Sequence, residues 1–214
     1  VHVAAVDPEV AKKGVLLRKY GQEIIRHTAG KRVHGTGSVP GGVNKNLTRA
    51  ERAGLLGEID TIVEWSREAV GIIRRLFADN AKLYASFGRF DSNRLGLVRA
   101  DGALDLYHGG LRATDAGGGT IFDHADYQSY YELIHEEVKP WSYMKFPFIV
   151  EQGAEAGWYR VGPLARVAQC DFIPTEQAEA ERLAFKAFDG GAALSAPLGY
   201  HWARMIEMLH AAEG

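Results

Sequence analysis

The stretch that decides the fold is GKRVHGTGSVPGGV, residues 30–43, which separates two long helical patterns. It holds five of the chain's 25 glycines and one of its 7 prolines. Glycine backbones adopt positive φ and approach other groups closely, so this stretch predicts a loop that has no core of its own. The simplest interpretation is a connector between helices. The other is a loop that approaches a second chain or a cofactor.

The patterns on both sides of the loop predict helices. Asp7 and Pro8 are typical of a helix N-terminus, since the carboxylate can cap and the missing proline N–H is not needed there. Gly30 is typical of a helix end. Thr48 and Glu51 have the spacing of a capping box, and one helix of about thirty residues is expected after them.

These two helices are expected to be long antiparallel neighbours. Gly14 and Gly21 leave one face of the first helix thin, which favours close packing against another helix. The second helix has an apolar stripe that we interpret as core: Leu55, Ile59, Ile62, Ser66, Val70, Ile73 and Phe77.

From about Asn93 the hydrophobic period changes to two, which is typical of strands. The pattern predicts a strand over 95–98 and, after a tight turn at Asp101-Gly102, a partner strand over 103–107. Two further short strands are expected over 111–114 and 120–122, which completes a small antiparallel meander.

The remaining segments are predicted to form helices, an extended run and one strand. A helix is expected over 126–139 and an extended run over 140–148. A strand is expected over 158–161, then one helix from Pro174 and a last helix over 197–212.

The predicted fold class is therefore α+β, mainly α, with long antiparallel helices and a small antiparallel β-meander insertion. Both ends read as cuts through a longer chain, so we interpret 1–214 as the central fragment of one larger domain. Its expected parts are a helical hairpin with the Gly-rich loop (1–92, loop 30–43), a β insertion with extended segments (93–170) and C-terminal helices (171–214).

Composition excludes several function classes. The net charge of −2 leaves no global basic field to attract nucleic acid. No apolar run approaches the roughly 20 residues that a membrane-spanning helix needs. The single cysteine, Cys170, excludes an intrachain disulfide framework and any multi-cysteine zinc or iron–sulfur site in this chain.

No catalytic constellation follows from the residues alone. The eight histidines include no pair at i, i+4 spacing, which a helical metal site needs. Residues 123–126, Asp-His-Ala-Asp, are interpreted as a solvated turn in preference to a metal site. The Gly-rich loop lacks the Gly-Lys-Ser/Thr of a phosphate loop and does not follow a strand. Ser38 has no nucleophile-elbow context.

Five ordered blocks nevertheless carry a resemblance to the large subunit of nickel–iron hydrogenases. They are LRKYGQEII (17–25), GKRVHG with VPGGVN (30–44), WSYMKFP (141–147), RVGPLAR (160–166) and WARMIE with LHAAE (202–213). The chain is most similar to the bidirectional, NAD-reducing, cytoplasmic type. The resemblance covers less than half of that subunit.

The resemblance implies that the intact subunit holds a nickel–iron centre through four cysteine thiolates, from two Cys-x-x-Cys-type motifs outside these residues. Cys170 matches neither motif, so this chain alone is expected to bind no metal centre and to turn over no hydrogen. The intact subunit is expected to cleave H2 heterolytically, because soft thiolates suit nickel, which acts as Lewis acid and hydride acceptor.

The resemblance also implies partners. Electrons are expected to pass to iron–sulfur clusters in a hydrogenase small subunit, then through flavin-containing diaphorase subunits to NAD. Neither nucleic acid nor membrane is expected among the partners.

In related large subunits the histidine that matches His34 lies near the small subunit's proximal cluster. Our hypothesis is that His34, Pro40, Gly41 and Gly42 form part of the surface between the subunits and tune electron transfer. The alternative is that His34 ties down the loop through a backbone hydrogen bond. Arg166 is interpreted as a structural or interface arginine whose fork bridges carboxylates or carbonyls.

Two other interpretations stay open from the sequence. One is a metal-free relative that acts as a scaffold or quinone-linked module, like the quinone-site subunit of respiratory complex I. The other is a stand-alone interaction domain. The block matches favour the hydrogenase. Cysteine motifs in the flanking sequence would separate the hydrogenase from the metal-free relative.

Overall fold

The computed structural model describes residues 2–214, apart from the side chains of His2, Val3, Ala85 and Ala192. The chain forms two compact units, a first that ends at Ala69 and a second over Val70–Gly214. The three-part division expected from the sequence stays an interpretation.

The first unit begins with helices α1 (His2–Val6) and α2 (Pro8–Ala29). The Asp7 carboxylate accepts a hydrogen bond from the Val10 N–H at 3.0 Å, and Pro8 takes the first helical position. Gly30 ends α2 in the left-handed region at φ 81°. Both predicted ends of this helix are therefore confirmed. Strands β1 (Ser38–Val39) and β2 (Gly42–Val43) follow as a small hairpin.

The prediction of one thirty-residue helix after Thr48 is wrong. Two helices occur, α3 (Arg49–Leu56) and α4 (Ile59–Asp79), followed by the short α5 (Ala81–Ser86). The Glu58 N–H bonds to the Leu55 carbonyl at 3.2 Å, a tightened i→i+3 turn. Gly54 and Gly57 favour such a break because glycine has low helix propensity.

Helix α2 runs antiparallel to α3 and α4, as predicted. As residue numbers increase along α2, the numbers of their partners on α3 and α4 decrease. Lys13 Nζ bonds to Glu68 at 2.5 Å, and the Tyr20 hydroxyl bonds to the Leu55 carbonyl at 3.0 Å. His27 Nδ1 lies 3.0 Å from Glu51.

The prediction of close helix packing at Gly14 and Gly21 is wrong within the described chain. A Cβ built on either glycine meets no atom within 4 Å. Long polar side chains, rather than closely packed small residues, hold α2 to α3 and α4. The second helix does bury much of its predicted stripe, namely Ile62, Ser66, Val70 and Phe77.

The second unit contains the predicted meander. Strands β3 (Asn93–Val98), β4 (Gly110–Thr114) and β5 (Thr120–Ala125) pair antiparallel in the order β5-β4-β3. Gly102 makes the predicted turn at φ 85°, with its N–H on the Arg99 carbonyl.

Two details of the meander differ from the prediction. Residues 103–107 form two isolated bridges, Leu104 with Val98 and Ala103 with Phe172, and no strand. The reason is that the Asp105 carboxylate accepts from the Tyr107 and His108 N–H groups and turns the chain away. Asp123 belongs to β5 and not to a solvated turn, because it pairs with Arg112 on β4.

The helix predicted over 126–139 is also wrong in its second half. Only α6 (Tyr130–Leu133) is helical after a single 3-10 turn, and β6 (Ile134–Val138) then pairs antiparallel with β7 (Lys145–Ile149). Ile134 stands opposite the fully buried Ile149, so tertiary pairing overrides the helical pattern. Helix α7 (Gly153–Ala156) follows.

Strand β8 (Tyr159–Arg160) confirms the strand predicted over 158–161 but joins β3 in parallel, next to the antiparallel meander. The last helices are α8 (Pro163–Gln169), α9 (Glu176–Ala187) and α10 (Gly199–Glu213). The starts predicted for α9 and α10 are confirmed within two residues. Trp202 of α10 packs against Phe77, Phe185 and Phe188, with its ring centroid 5.2–5.5 Å from theirs.

The two faces of the meander differ in chemistry. Leu95 and Ala113 are register partners on one face and pack with Ile149 in an apolar cluster. Arg94 pairs with Thr114 and Gly96 with Arg112, so these residues share the opposite face. Contacts between Gly96 and residues of α8 place that helix over the polar face.

No helix among the described residues is both long and apolar enough to cross a membrane.

Candidate functional site

The Gly-rich loop folds back onto the end of α2. The Thr36 N–H bonds to the Ala29 carbonyl at 3.0 Å, and the Asn44 N–H bonds to the Gly37 carbonyl at 2.7 Å. A Cβ built on Gly35 would lie 2.6 Å from the Ala29 Cβ, so the approach requires glycine. The loop is thus tied down by its backbone.

The hairpin at the tip of this loop is exposed. Pro40 and Gly41 connect β1 to β2, and Gly41 has φ 85°. Proline followed by a glycine with positive φ is the combination that a type II turn requires. Val39 and Val43 are 41% and 62% exposed, so the hairpin presents apolar side chains to its surroundings.

His34 lies in the same loop with its backbone in the left-handed region, at φ 50°. Its ring is exposed, and within the described chain it makes no hydrogen bond. The alternative in which this ring ties down the loop therefore has no contact to support it. The neighbouring Arg32 bonds to Glu23 on α2.

Two carboxylates under the loop gather several donors, of which only Thr48 was paired with its carboxylate from the sequence. Glu23 accepts from Arg26 at 2.7 Å and from Arg32, and these bonds lower the pKa of Glu23 to about 2. Glu51 accepts from Lys45 and Thr48 and lies beside His27, and these contacts hold the pKa of its carboxyl well below its usual range.

Glu23, His27, Arg32 and Glu51 line a cleft of about 740 Å³ between α2 and the α3–α4 pair. Tyr20, Leu55, Ile62 and Trp65 supply the apolar part of its lining. The sequence signals for this arrangement were the capping box of Thr48 and Glu51 and the i, i+3 spacing of Glu23 and Arg26. The remaining partners come from other elements.

Arg166 lies in the second unit, on α8, whereas His34, Pro40, Gly41 and Gly42 share one loop of the first. Arg166 donates from Nε to Glu207 at 2.6 Å and from its second terminal nitrogen at 2.9 Å. This bidentate pair joins α8 to α10, and it is the carboxylate bridge expected for this side chain. A role of Arg166 towards a partner subunit stays a prediction.

Cys170 is unsuited to metal binding in this structure. It is 2% exposed, and burial raises the pKa of its thiol to about 11. Over the described ranges, no group of three or more His, Cys, Asp or Glu side chains is placed to hold a metal ion. His201 is exposed, while His210 contacts the Thr175 hydroxyl at 2.9 Å, so both are surface or packed histidines as predicted.

Comparison with known proteins gives a consistent result. No family model matches the chain. The NAD-reducing hydrogenase HoxS subunit beta of Cupriavidus necator is 38% identical over 214 residues, which cover 97% of this chain and 43% of that protein. A vhu subunit of the F420-non-reducing hydrogenase of Methanocaldococcus jannaschii is 36% identical over 206 residues, which cover 96% of this chain and 49% of that protein.

The solved structures that resemble this chain are also hydrogenases. An NAD+-reducing [NiFe]-hydrogenase in the H2-reduced state matches with 50% identity and a TM-score of 0.95, over 99% of this chain and 47% of the solved one. A [NiFeSe]-hydrogenase of Dm. baculatum, 17% identical with a TM-score of 0.66 over 95% of this chain and 46% of its own, shares the fold. The predicted α+β class is confirmed.

The chain spans about half the length of the curated relatives that it matches. These relatives are hydrogenases, so the interpretation as a metal-free, quinone-linked module is not supported.

Proposed function

We propose, since the chain belongs to the large-subunit family of nickel–iron hydrogenases, that it is the central part of a catalytic large subunit that reversibly oxidises H2. The observation that carries this proposal is the match to the NAD+-reducing [NiFe]-hydrogenase, at 50% identity over 99% of the chain with a TM-score of 0.95. Such agreement in sequence and backbone goes beyond a shared fold.

We propose that the intact subunit works in a cytoplasmic complex. In this complex an iron–sulfur small subunit takes the electrons, and flavin-containing diaphorase subunits pass them towards NAD. The names of the first relative and of the solved structure, both NAD-reducing, support NAD as the acceptor.

The residues of this chain do not fit a nickel–iron centre. Such a centre in this family is held by four thiolates, whereas the one cysteine here is a buried thiol whose pKa is raised to about 11. We therefore assign metal ligation to the rest of the intact subunit. The 214-residue chain alone is expected to be inactive.

For the Gly-rich loop we propose a position on the surface that meets the small subunit. The exposed His34 ring and the exposed valines of the hairpin support this, because interfaces combine apolar side chains with polar groups that stay free until the partner binds. The close contact of Gly35 and Gly37 with α2 fixes the backbone that carries His34. From there a hydrogen bond or charge can change the potential of a nearby cluster.

The assignment is tested first by sequencing the coding region outward from Val1 and Gly214. Two Cys-x-x-Cys-type motifs, one on each side, are expected. The intact subunit, expressed with its partners, should then contain nickel and reduce NAD with H2. An intact reading frame that lacks both motifs would overturn the proposal.

The role of the loop is tested by His34→Ala in the assembled complex. The variant should change the midpoint potential of a small-subunit cluster, or the bias between H2 oxidation and H2 production. His201→Ala removes an exposed histidine of α10 and is the matched control. Identical electrochemistry of the His34 variant and the control would contradict the proposed role.

A further inference from the structure

A polar recess lies between the β3–β4 sheet and α8, far in sequence from the Gly-rich loop. Arg94 and Thr114 are register partners, so their side chains leave the same face of the sheet. Gly96 is two residues further along that face, and a Cβ built there would lie 2.5 Å from Gln169 Nε2. Glycine at this position therefore makes room for the Gln169 amide, and all three polar side chains line one recess.

Four buried polar atoms in this recess have no hydrogen-bond partner within the described chain: Arg94 Nε, Thr114 Oγ1, Gln169 Nε2 and Gln169 Oε1. Their residues are 8%, 6% and 7% exposed. A buried polar group without a partner costs about 1–3 kcal/mol, so this concentration of such groups indicates that something else binds them.

The charges of the recess are unequal. Arg112 lies between two carboxylates, Asp123 at 2.8 Å and Asp171 at 2.9 Å, which together carry one negative charge more than Arg112 offsets. With Arg94 and Lys186, the recess is lined by three cations and two carboxylates, which leaves one positive charge. Arg94 donates only to the backbone carbonyls of Asp115 and Ala116, and Lys186 only to the Ala168 carbonyl. Neither cation has a carboxylate within 4.0 Å among the residues that the structure describes.

Two further facts support an uncompensated positive charge. Burial lowers the pKa of both Arg94 and Lys186, because the neighbouring carboxylates offset the loss of hydration only in part. Arg160 on β8 is the register partner of Arg94 and places a second buried guanidinium beside it. Its Nε and one terminal nitrogen also have no partner in the described residues.

We propose that the recess binds a carboxylate group. Arg94 Nε, Thr114 Oγ1 and Gln169 Nε2 are the donors to its oxygens, and Lys186 adds a compensating charge. Gln169 Oε1 accepts from a donor next to the carboxylate. The recess, about 570 Å³ in volume, is large enough for a small free carboxylate or for an Asp or Glu side chain from the rest of the subunit. The recess itself is argued from contacts within this chain and involves no metal and no residue of the Gly-rich loop. Only a carboxylate supplied by the rest of the subunit rests on the proposed function.

The test is hydrogen–deuterium exchange of β3, β4 and α8, measured on the 214-residue chain and on the intact subunit in its complex. Formate replaces chloride at constant ionic strength. At a formate concentration of about ten times its Kd, amide exchange should slow by about tenfold. This applies to the amides that exchange only when the recess opens and releases the bound formate. Arg204→Met, which removes an exposed arginine of α10, should behave like the unmodified chain.

Two variants make the test specific. Arg94→Met removes a donor and should abolish the effect of formate. Gln169→Glu places a carboxylate within the recess itself, so it should slow exchange without formate and make formate ineffective.

The outcomes separate the two sources of the carboxylate. If formate protects both proteins, the ligand is a free ion. If formate protects only the 214-residue chain, and Arg94→Met speeds exchange in the intact subunit, the carboxylate comes from the rest of that subunit. The proposal is overturned if formate protects neither protein and Arg94→Met leaves exchange in the intact subunit unchanged, since water alone then satisfies the recess.

Discussion

At Gly35 the loop backbone lies directly against the last residue of α2. A methyl group at Gly35 would meet the Ala29 Cβ at 2.6 Å, whereas one at Gly14 would meet no atom within 4 Å. We expect Gly35→Ala to lower the free energy of unfolding of the first unit by about 1–3 kcal/mol, because the loop must shift. Gly14→Ala should raise it by about 1 kcal/mol, because alanine favours the helix.

Urea unfolding followed by circular dichroism measures both changes. If Gly35→Ala is as stable as the unmodified chain, the close contact of the loop with α2 is wrong.

Cys170 is expected to be unreactive in the folded chain. Its thiol is 2% exposed and burial raises its pKa to about 11, so little thiolate exists at pH 8 and little reagent reaches it. A thiol-specific disulfide reagent at pH 8 should label the native chain slowly and the urea-unfolded chain at once, with one equivalent. Rapid labelling of the native chain would contradict its buried position.

At the scale of the element, the capping box shows how local sequence fixes a helix start. Thr48 Oγ1 accepts from the Glu51 N–H at 3.2 Å, and Glu51 accepts from the Thr48 N–H at 2.9 Å. We expect Thr48→Ala to lower the free energy of unfolding by about 1 kcal/mol, since an orphan N–H of α3 loses its partner.

The matched control is Thr28→Ala near the end of α2, where an exposed hydroxyl bonds back to the Ile24 carbonyl at 2.8 Å. That change should stay within about 0.5 kcal/mol of the unmodified chain. Equal losses in the two variants would show that the box contributes nothing specific.

At the scale of the whole molecule, burial is uneven between the two units. Ile62 and Ser66 are the buried residues among those described in the first unit, while most of the core belongs to the second. The first unit therefore depends more on its polar contacts, in particular those of Glu23 and Glu51.

This dependence predicts an acid-sensitive first unit. The pKa of Glu23 falls from 4.5 to about 2 on folding, and that of Glu51 is also lowered. A lowered folded-state pKa contributes stability above the unfolded value, and this contribution is lost as the pH falls from about 4.5 towards 2. Unfolding of the first unit should therefore become easier across that range.

The measurement is the urea midpoint of the first unit between pH 5 and pH 2.5. Glu23→Gln should flatten its pH dependence, while Glu64→Gln, at an exposed position of α4, should leave the dependence unchanged. Parallel curves for the two variants would contradict the role of Glu23.

What could be predicted from the sequence was local. Helix caps such as Asp7 and Thr48, and turn glycines such as Gly102, depend on groups within a few residues, so their patterns were sufficient. The exposed loop that carries His34 was also recognisable, because glycine-rich composition and family resemblance both pointed to it.

What only the tertiary structure decided involves partners that are distant in the chain. Residues 134–138 form a strand because β7 pairs with them and Ile149 is buried beneath, which no local pattern shows. The donors around Glu51 and the recess under α8 likewise come from separate elements. The sequence by itself determined the class, the caps and the family, since these depend on neighbouring residues and on similarity. Packing and charge compensation were decided by the tertiary structure, because they depend on distances that only the folded chain sets.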